Sequence, residues 1–147
     1  MNIEKLRKEL ADDPLKFNYA NLPIQDIADK LNEKTRTRVV EFRVTELGIL
    51  NAFADPTDGE AVLLKLEAEA TGNTMLARAL RWMQPGGAGL DIGNNATRLM
   101  LDGLHAKSVI DAGELATVKA LAEESISRAE ELGLGVVRDG HIMEAQA

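Results

Sequence analysis

The sequence predicts an all-α fold: a single domain of six or seven short helices around one core, with an extended segment near residues 34–44. Three observations lead there. Apolar side chains recur every three to four positions along most of the chain. Aromatic residues are only 3% of the 147, so Leu, Ile, Val, Ala and Met must fill the core, and pleated surfaces favour a more β-branched and aromatic set. Caps and breakers fall between the apolar runs. Hydrophobic residues at 45% and charged residues at 28% are the balance of a globular chain, and this length is enough to bury one core.

Ile3, Leu6 and Leu10 place a first helix over 3–11, stopped by Asp12-Asp13-Pro14 because the residue before proline avoids helical angles. Residues 15–22, with Phe17 and Tyr19, lack periodicity and read as a packed connector. Pro23 suits a helix start, and Ile24, Ile27, Ala28 and Leu31 carry a helix over 23–33. Thr35, Thr37, Val39, Val40, Phe42 and Val44 make 34–44 an extended arm, whose backbone needs another segment or another subunit to pair with. Thr45 caps a helix reaching about Ala54. Thr57 and Glu60 suggest a capping box for a helix to Thr71. Met75 to Gln84 forms the next.

Residues 85–93 are mostly breakers, with four glycines, and read as a loop that orders when a partner arrives. Asn94 or Asn95 caps a helix through Leu104. Asp111 and Glu114 open the longest helix, about 112–132, with Gly133 as its stop. The tail, 136–147, is either a hairpin about Asp139-Gly140 or a final helical turn, with the helix favoured.

The chemistry in the sequence is sparse. The formal charge of −7 weighs against nucleic acid, whose binding needs concentrated cations. Lys34, Arg36, Arg38 and Arg43 gather locally, diluted by Glu33, Glu41 and Glu46. Absent cysteines exclude disulfides and thiolate metal sites. The N-terminus lacks a signal-peptide core, and no run is long enough for a membrane helix. The Asn95-Ala96-Thr97 sequon therefore reads as accidental. His105 stands three residues from Asp102, but Ser108, Ser125 and Ser127 lie in no nucleophile-elbow context. His141 sits in the tail. Asp12-Asp13 and Glu123-Glu124 read as solvated pairs. Gly87, Gly89 and Gly93 miss the dinucleotide spacing and follow a helix. No catalytic residue, metal ligand or cofactor is expected. The candidate contact residues are Arg36, Arg38, Val40 and Phe42 on the arm, with Trp82, Gly86, Gly87 and Gly89 at the loop. Trp82 also fits a core anchor at a helix end.

Two stretches carry a resemblance. One runs from Leu10 to Leu15 (LADDPL) through Tyr19-Ala20, Ile27 to Asn32 (IADKLN) and Thr35 to Arg38 (TRTR). The other is Ser125 to Gly135 (SISRAEELGLG), followed by Val137 and Gly140 to Ile142 (GHI). Together they resemble a family of small, mostly uncharacterised proteins encoded among the structural genes of tailed bacteriophages. Members often carry Arg-Gly before the aromatic at the Lys16-Phe17-Asn18 position, which this chain lacks. The resemblance implies a virion component or an assembly factor, and the leading expectation is a structural protein of the tail or head–tail region, made in the host bacterial cytoplasm. Its partners would be other phage structural proteins and further copies of itself. The alternative is an assembly factor or regulator, absent from the finished particle, that binds a phage or host protein.

Overall fold

The computed structural model describes all 147 residues and is mostly helical, with nine α-helices and four short strands, so the fold is not purely α. In place of the one core expected, buried apolar side chains form two clusters. They correspond to two compact units: Met1–Arg38 with Ser125–Ala147, and Val39–Glu124. No helix is long and apolar enough to cross a membrane.

The first unit is built from both ends of the chain. Helix α1, Ile3–Asp12, is capped by the Asn2 side chain, which accepts from the Lys5 N–H. Asp13 ends it in a left-handed conformation, and its carboxylate then accepts from the N–H groups of Phe17 (2.7 Å) and Asn18 (2.6 Å). That knot aims Tyr19, in a short 3-10 turn, into the core at 2% exposure. Helix α2, Ile24–Asn32, buries Ile27, Ala28 and Leu31, as its spacing predicts. From the other end come α8, Arg128–Glu131, and α9, Asp139–Gln146. The tail is thus helical. Ile142 and Ala145 pack with Leu6, Ile27 and Leu31. Asn32 bonds the Val137 backbone twice, donating to its carbonyl at 2.7 Å and accepting from its N–H at 2.9 Å.

One buried ion pair joins the two ends. Arg128 donates through Nε and Nη2 to the two carboxylate oxygens of Glu9, at 2.9 and 2.8 Å. The Glu9 side chain is only 4% exposed. The Tyr19 hydroxyl donates to the same carboxylate at 3.3 Å. Arg128 also reaches Glu131 at 2.9 Å, and Arg36 grips Glu131 with two bonds at 3.0 and 3.3 Å. The Glu9 bonds hold Arg128 above the usual arginine range, and burial holds the Tyr19 phenol above its own. Arg36 and Arg128 together keep Glu131 below the usual glutamate range.

The second unit holds α3, Glu46–Ala52; α4, Pro56–Ala70; α5, Thr74–Met83; α6, Asn95–Ala106; and α7, Ala112–Ala120. Thr45, Asn73 and Asn94 cap α3, α5 and α6, and Asp111 with Glu114 forms the expected capping box of α7. Helix α4 starts otherwise than expected: Asp55 is the cap, with Pro56 in the first turn. The long helix expected over 112–132 does not form. The chain leaves α7 at Leu121, runs as strand β4, Glu123–Ile126, and restarts as α8 behind a second capping box, Ser127 with Glu130. Ser127 competes for the backbone there and makes a start, not a continuation.

The 34–44 arm is extended, as β1, Arg36–Val39, and β2, Arg43–Val44. Its partners are in the same chain. Strand β1 pairs with β4, and β2 pairs antiparallel with β3, Leu90–Asp91, bringing Arg43 opposite Asp91 and Val44 opposite Leu90. The chain passes between the units within β1 and returns within β4.

A Cβ at Gly93 would lie 1.9 Å from the Val40 carbonyl oxygen, which is backbone and cannot yield. Gly93→Ala should cost at least about 1–3 kcal/mol in urea unfolding, as overpacking does. Gly103→Ala, inside α6 with open space around it, should instead gain about 0.5–1 kcal/mol. In the first unit, Arg128→Ala strands the Glu9 carboxylate in the core. It should cost about 3–5 kcal/mol, against a smaller loss for Arg128→Ala combined with Glu9→Leu; a simple sum of the two single effects would refute this coupling.

Candidate functional site

An exposed apolar surface lies in the second unit, between α5 and α6. Helix α5 turns Leu76, Ala79, Leu80 and Met83 into the core. Its other face presents Met75, Arg78 and Trp82, spaced three and four apart on one stripe. Helix α6 buries Thr97, Leu101 and Leu104 and offers Ala96, Leu99 and Met100 beside that stripe. Between them runs a groove of about 450 Å³, floored by Ala79, Leu90 and Met100 with Trp82 at one end. A second hollow of about 380 Å³ continues it past Met75, Met100 and Leu104 to Lys107. Met75 and Leu99 are each 61% exposed and Trp82 is 48% exposed. Large side chains left open together on one face mark a surface that binds something.

Trp82 is therefore a groove wall, not a core anchor. The glycine loop beside it is folded onto the end of α5. The Gly87 N–H donates to Gln84 at 2.9 Å and the Gly89 N–H donates to Trp82 at 2.8 Å. Gly86 and Gly89 are left-handed, with φ of 84° and 80°. A Cβ at Gly87 would meet the Trp82 carbonyl oxygen at 2.3 Å. Leu90 and Ile92, at 6% and 1% exposure, then enter the core. Residues 85–93 are thus a built turn, not a loop awaiting order, and of the three candidate glycines only Gly89 lines the groove.

The arm residues are drawn into the chain's own bonding. Arg36 is held by Glu131. Lys34 stands 3.8 Å from Glu130, and Arg38 adds to the positive field that lowers the Glu130 carboxyl, whose main cause is the bond from the Ser127 backbone. The Val40 N–H donates to Ala122 at 2.8 Å. The Phe42 N–H donates to Asp91 at 3.1 Å and its carbonyl accepts from Ile92 at 2.9 Å, while the ring stays 41% exposed. Arg43 is paired with Glu41 and forms the groove's edge.

Both imidazoles are engaged by nearby backbone. His105 Nδ1 lies 3.0 Å from the Ile110 carbonyl, while Asp102 receives Lys119 at 2.6 Å. His141 Nδ1 accepts from the Arg138 N–H, shaping the start of α9. Glu123, on β4, is bound by Arg98. No group of three or more His, Asp or Glu side chains stands close enough to hold a metal ion.

No family model, no curated protein and no solved structure matches the chain. The groove's chemistry has to be read from its own residues. Apolar walls with a few charges at the rim suit the side of a helix or another packed protein surface.

The exposed placement of Trp82 sets a sharp expectation. Trp82→Ala should change unfolding free energy by less than about 1 kcal/mol, where a core tryptophan would cost about 3–5. Its fluorescence in the isolated chain should be red-shifted; a buried, blue-shifted emission would contradict the groove.

Proposed function

We propose that this chain is a structural protein of a tailed bacteriophage particle, in the tail or head–tail region, which works by assembling with other proteins. One observation carries the reading. The two stretches that resemble the phage family, 10–38 and 125–142, are far apart in sequence yet fold into the same unit. Their residues have defined tasks there: Asp13 ties the Phe17-Asn18 turn, Asn32 bridges to Val137, and Ser127 starts the helix that delivers Arg128 to Glu9. The departure from the family's Arg-Gly falls where the backbone is left-handed. Lys16 has φ of 56° and Asn18 has φ of 64°. Lys16 stands directly before Phe17, where the family's glycine falls, and it keeps there the left-handed backbone that glycine adopts most readily.

The distinctive groove lies in the other unit, Val39–Glu124. On this reading the middle of the chain carries the contact surface. Assembly through a fixed apolar surface needs no reacting group, only burial of side chains such as Trp82, Met75 and Leu99 against a partner. The second reading, a factor that helps assembly and then leaves, uses the same groove.

Mass spectrometry of purified particles separates the two. The structural reading expects the chain as a stoichiometric component, and expects Trp82→Ala to reduce its incorporation while the variant stays folded. A chain absent from particles but required for their yield would instead favour the transient factor.

A further inference from the structure

We infer that the α5–α6 groove receives helix α4 of a second copy of this chain, in a head-to-tail contact. The inference rests on the assembly reading above and names the partner of that same site.

Charge complementarity selects this occupant. The chain is acidic overall, with a formal charge of −7, yet the groove is edged by cations. Arg78 and Lys107 stand on its rim with no acid of their own chain paired to them. Its one carboxylate, Asp91, is engaged by the backbone N–H groups of Phe42 and Gly93. The outer face of α4 is the counterpart. Val62, Leu63 and Leu66 point into the core, leaving Glu60, Ala61, Leu64, Glu67 and Ala68 exposed on the opposite side. Leu64 is 55% exposed. Glu60 and Glu67 flank it, and the lysine between them, Lys65, is already bound by Glu114 at 2.7 and 2.9 Å. The face is thus an apolar knob within uncompensated negative charge.

Shape agrees with charge. Ala61, Leu64 and Ala68 follow the three-and-four spacing with which a helix anchors in a groove, and the flanking alanines let its backbone approach closely. The stripe from Ala61 to Ala68 and the groove wall from Met75 to Trp82 each span eight residues, about 10 Å of helix. The two surfaces share no residue. A contact between them therefore leaves one of each free at the ends, and repeats until it closes into a ring or runs on as a chain.

Sedimentation of purified full-length variants tests the contact. The wild-type chain should grow in mass with concentration beyond the dimer, with the Trp82 emission shifting blue as it does. Leu64→Asp, which spoils the knob, and Arg78→Glu, which spoils the rim, should each weaken association at least about tenfold with unchanged thermal unfolding. Both side chains are exposed, so the fold survives. The decisive sample is an equimolar mixture: Leu64→Asp keeps an intact groove and Arg78→Glu an intact knob, so together they should form a one-to-one dimer and nothing larger.

A wild-type chain that remains monomeric to about 1 mM, that stops at a symmetric dimer, or whose mixed variants stay monomeric would overturn the inference. So would a monomeric chain that takes up a different particle protein through Trp82. A monomeric chain still found in particles removes this contact and leaves the assembly reading standing; a self-associating chain absent from particles does the reverse.

Discussion

The paired carboxylate and guanidinium of Glu9 and Arg128 are the constraint on which the first unit turns. Each charge, buried alone, would cost several kcal/mol in lost hydration. Together they meet in a bidentate geometry, with Tyr19 donating to the acid and Glu131 accepting from the base. The arrangement exists only when the N-terminal helix and the start of α8 come within reach of each other's long side chains. Everything from Val39 to Glu124 must therefore be looped out between them. Closing a loop of that length costs entropy that grows only slowly with length, and a well-packed core around Leu6, Ile27, Leu31 and Ile142 offsets it.

The looped-out segment is not a linker. It has its own buried set, from Val44 and Ile49 through Leu76 and Met83 to Val118 and Ala122. Close backbone approaches hold it tightly, as at Gly93 against Val40 and at Gly59 against Leu50. The glycine turn beyond Trp82 belongs to that packing, because it places Leu90 for its pairing with Val44. Once those positions are set, the outer sides of α5 and α6 have nothing from their own unit to cover them. Trp82, Met75 and Leu99 stay open for that reason. The two units thus divide the proposed work: one carries the phage resemblance, the other the surface for contact.

Much of this was legible in the residues themselves. The apolar stripes of α1, α2, α5 and α6 placed those helices within a residue or two, and the Asp111–Glu114 box marked the start of α7. The break at 121–127 carried a signal too, since Ser127 and Glu130 have the same capping spacing as Asp111 and Glu114. It was hidden by Ala122, Ile126 and Ala129, which continue a helical stripe across a strand. Thr57 and Glu60 misled in the opposite direction, because Asp55 ahead of Pro56 made the better cap. At the candidate site, Trp82 and Gly89 could be picked from composition, but Met75, Arg78, Leu99 and Met100 could not. Their spacing is that of any amphipathic helix.

Sequence by itself determined the helical character, the caps and the stops. These depend on interactions within a few residues, where spacing and side-chain type decide the outcome. Only the tertiary structure decided that there are two cores, that the arm's strands find partners inside the chain, and which face of each helix is left uncovered. Those outcomes turn on pairs such as Glu9 with Arg128 and Val44 with Leu90, whose members are far apart along the chain. Local spacing carries no information about such pairs, because it records which residues can face the same way and not what they will face.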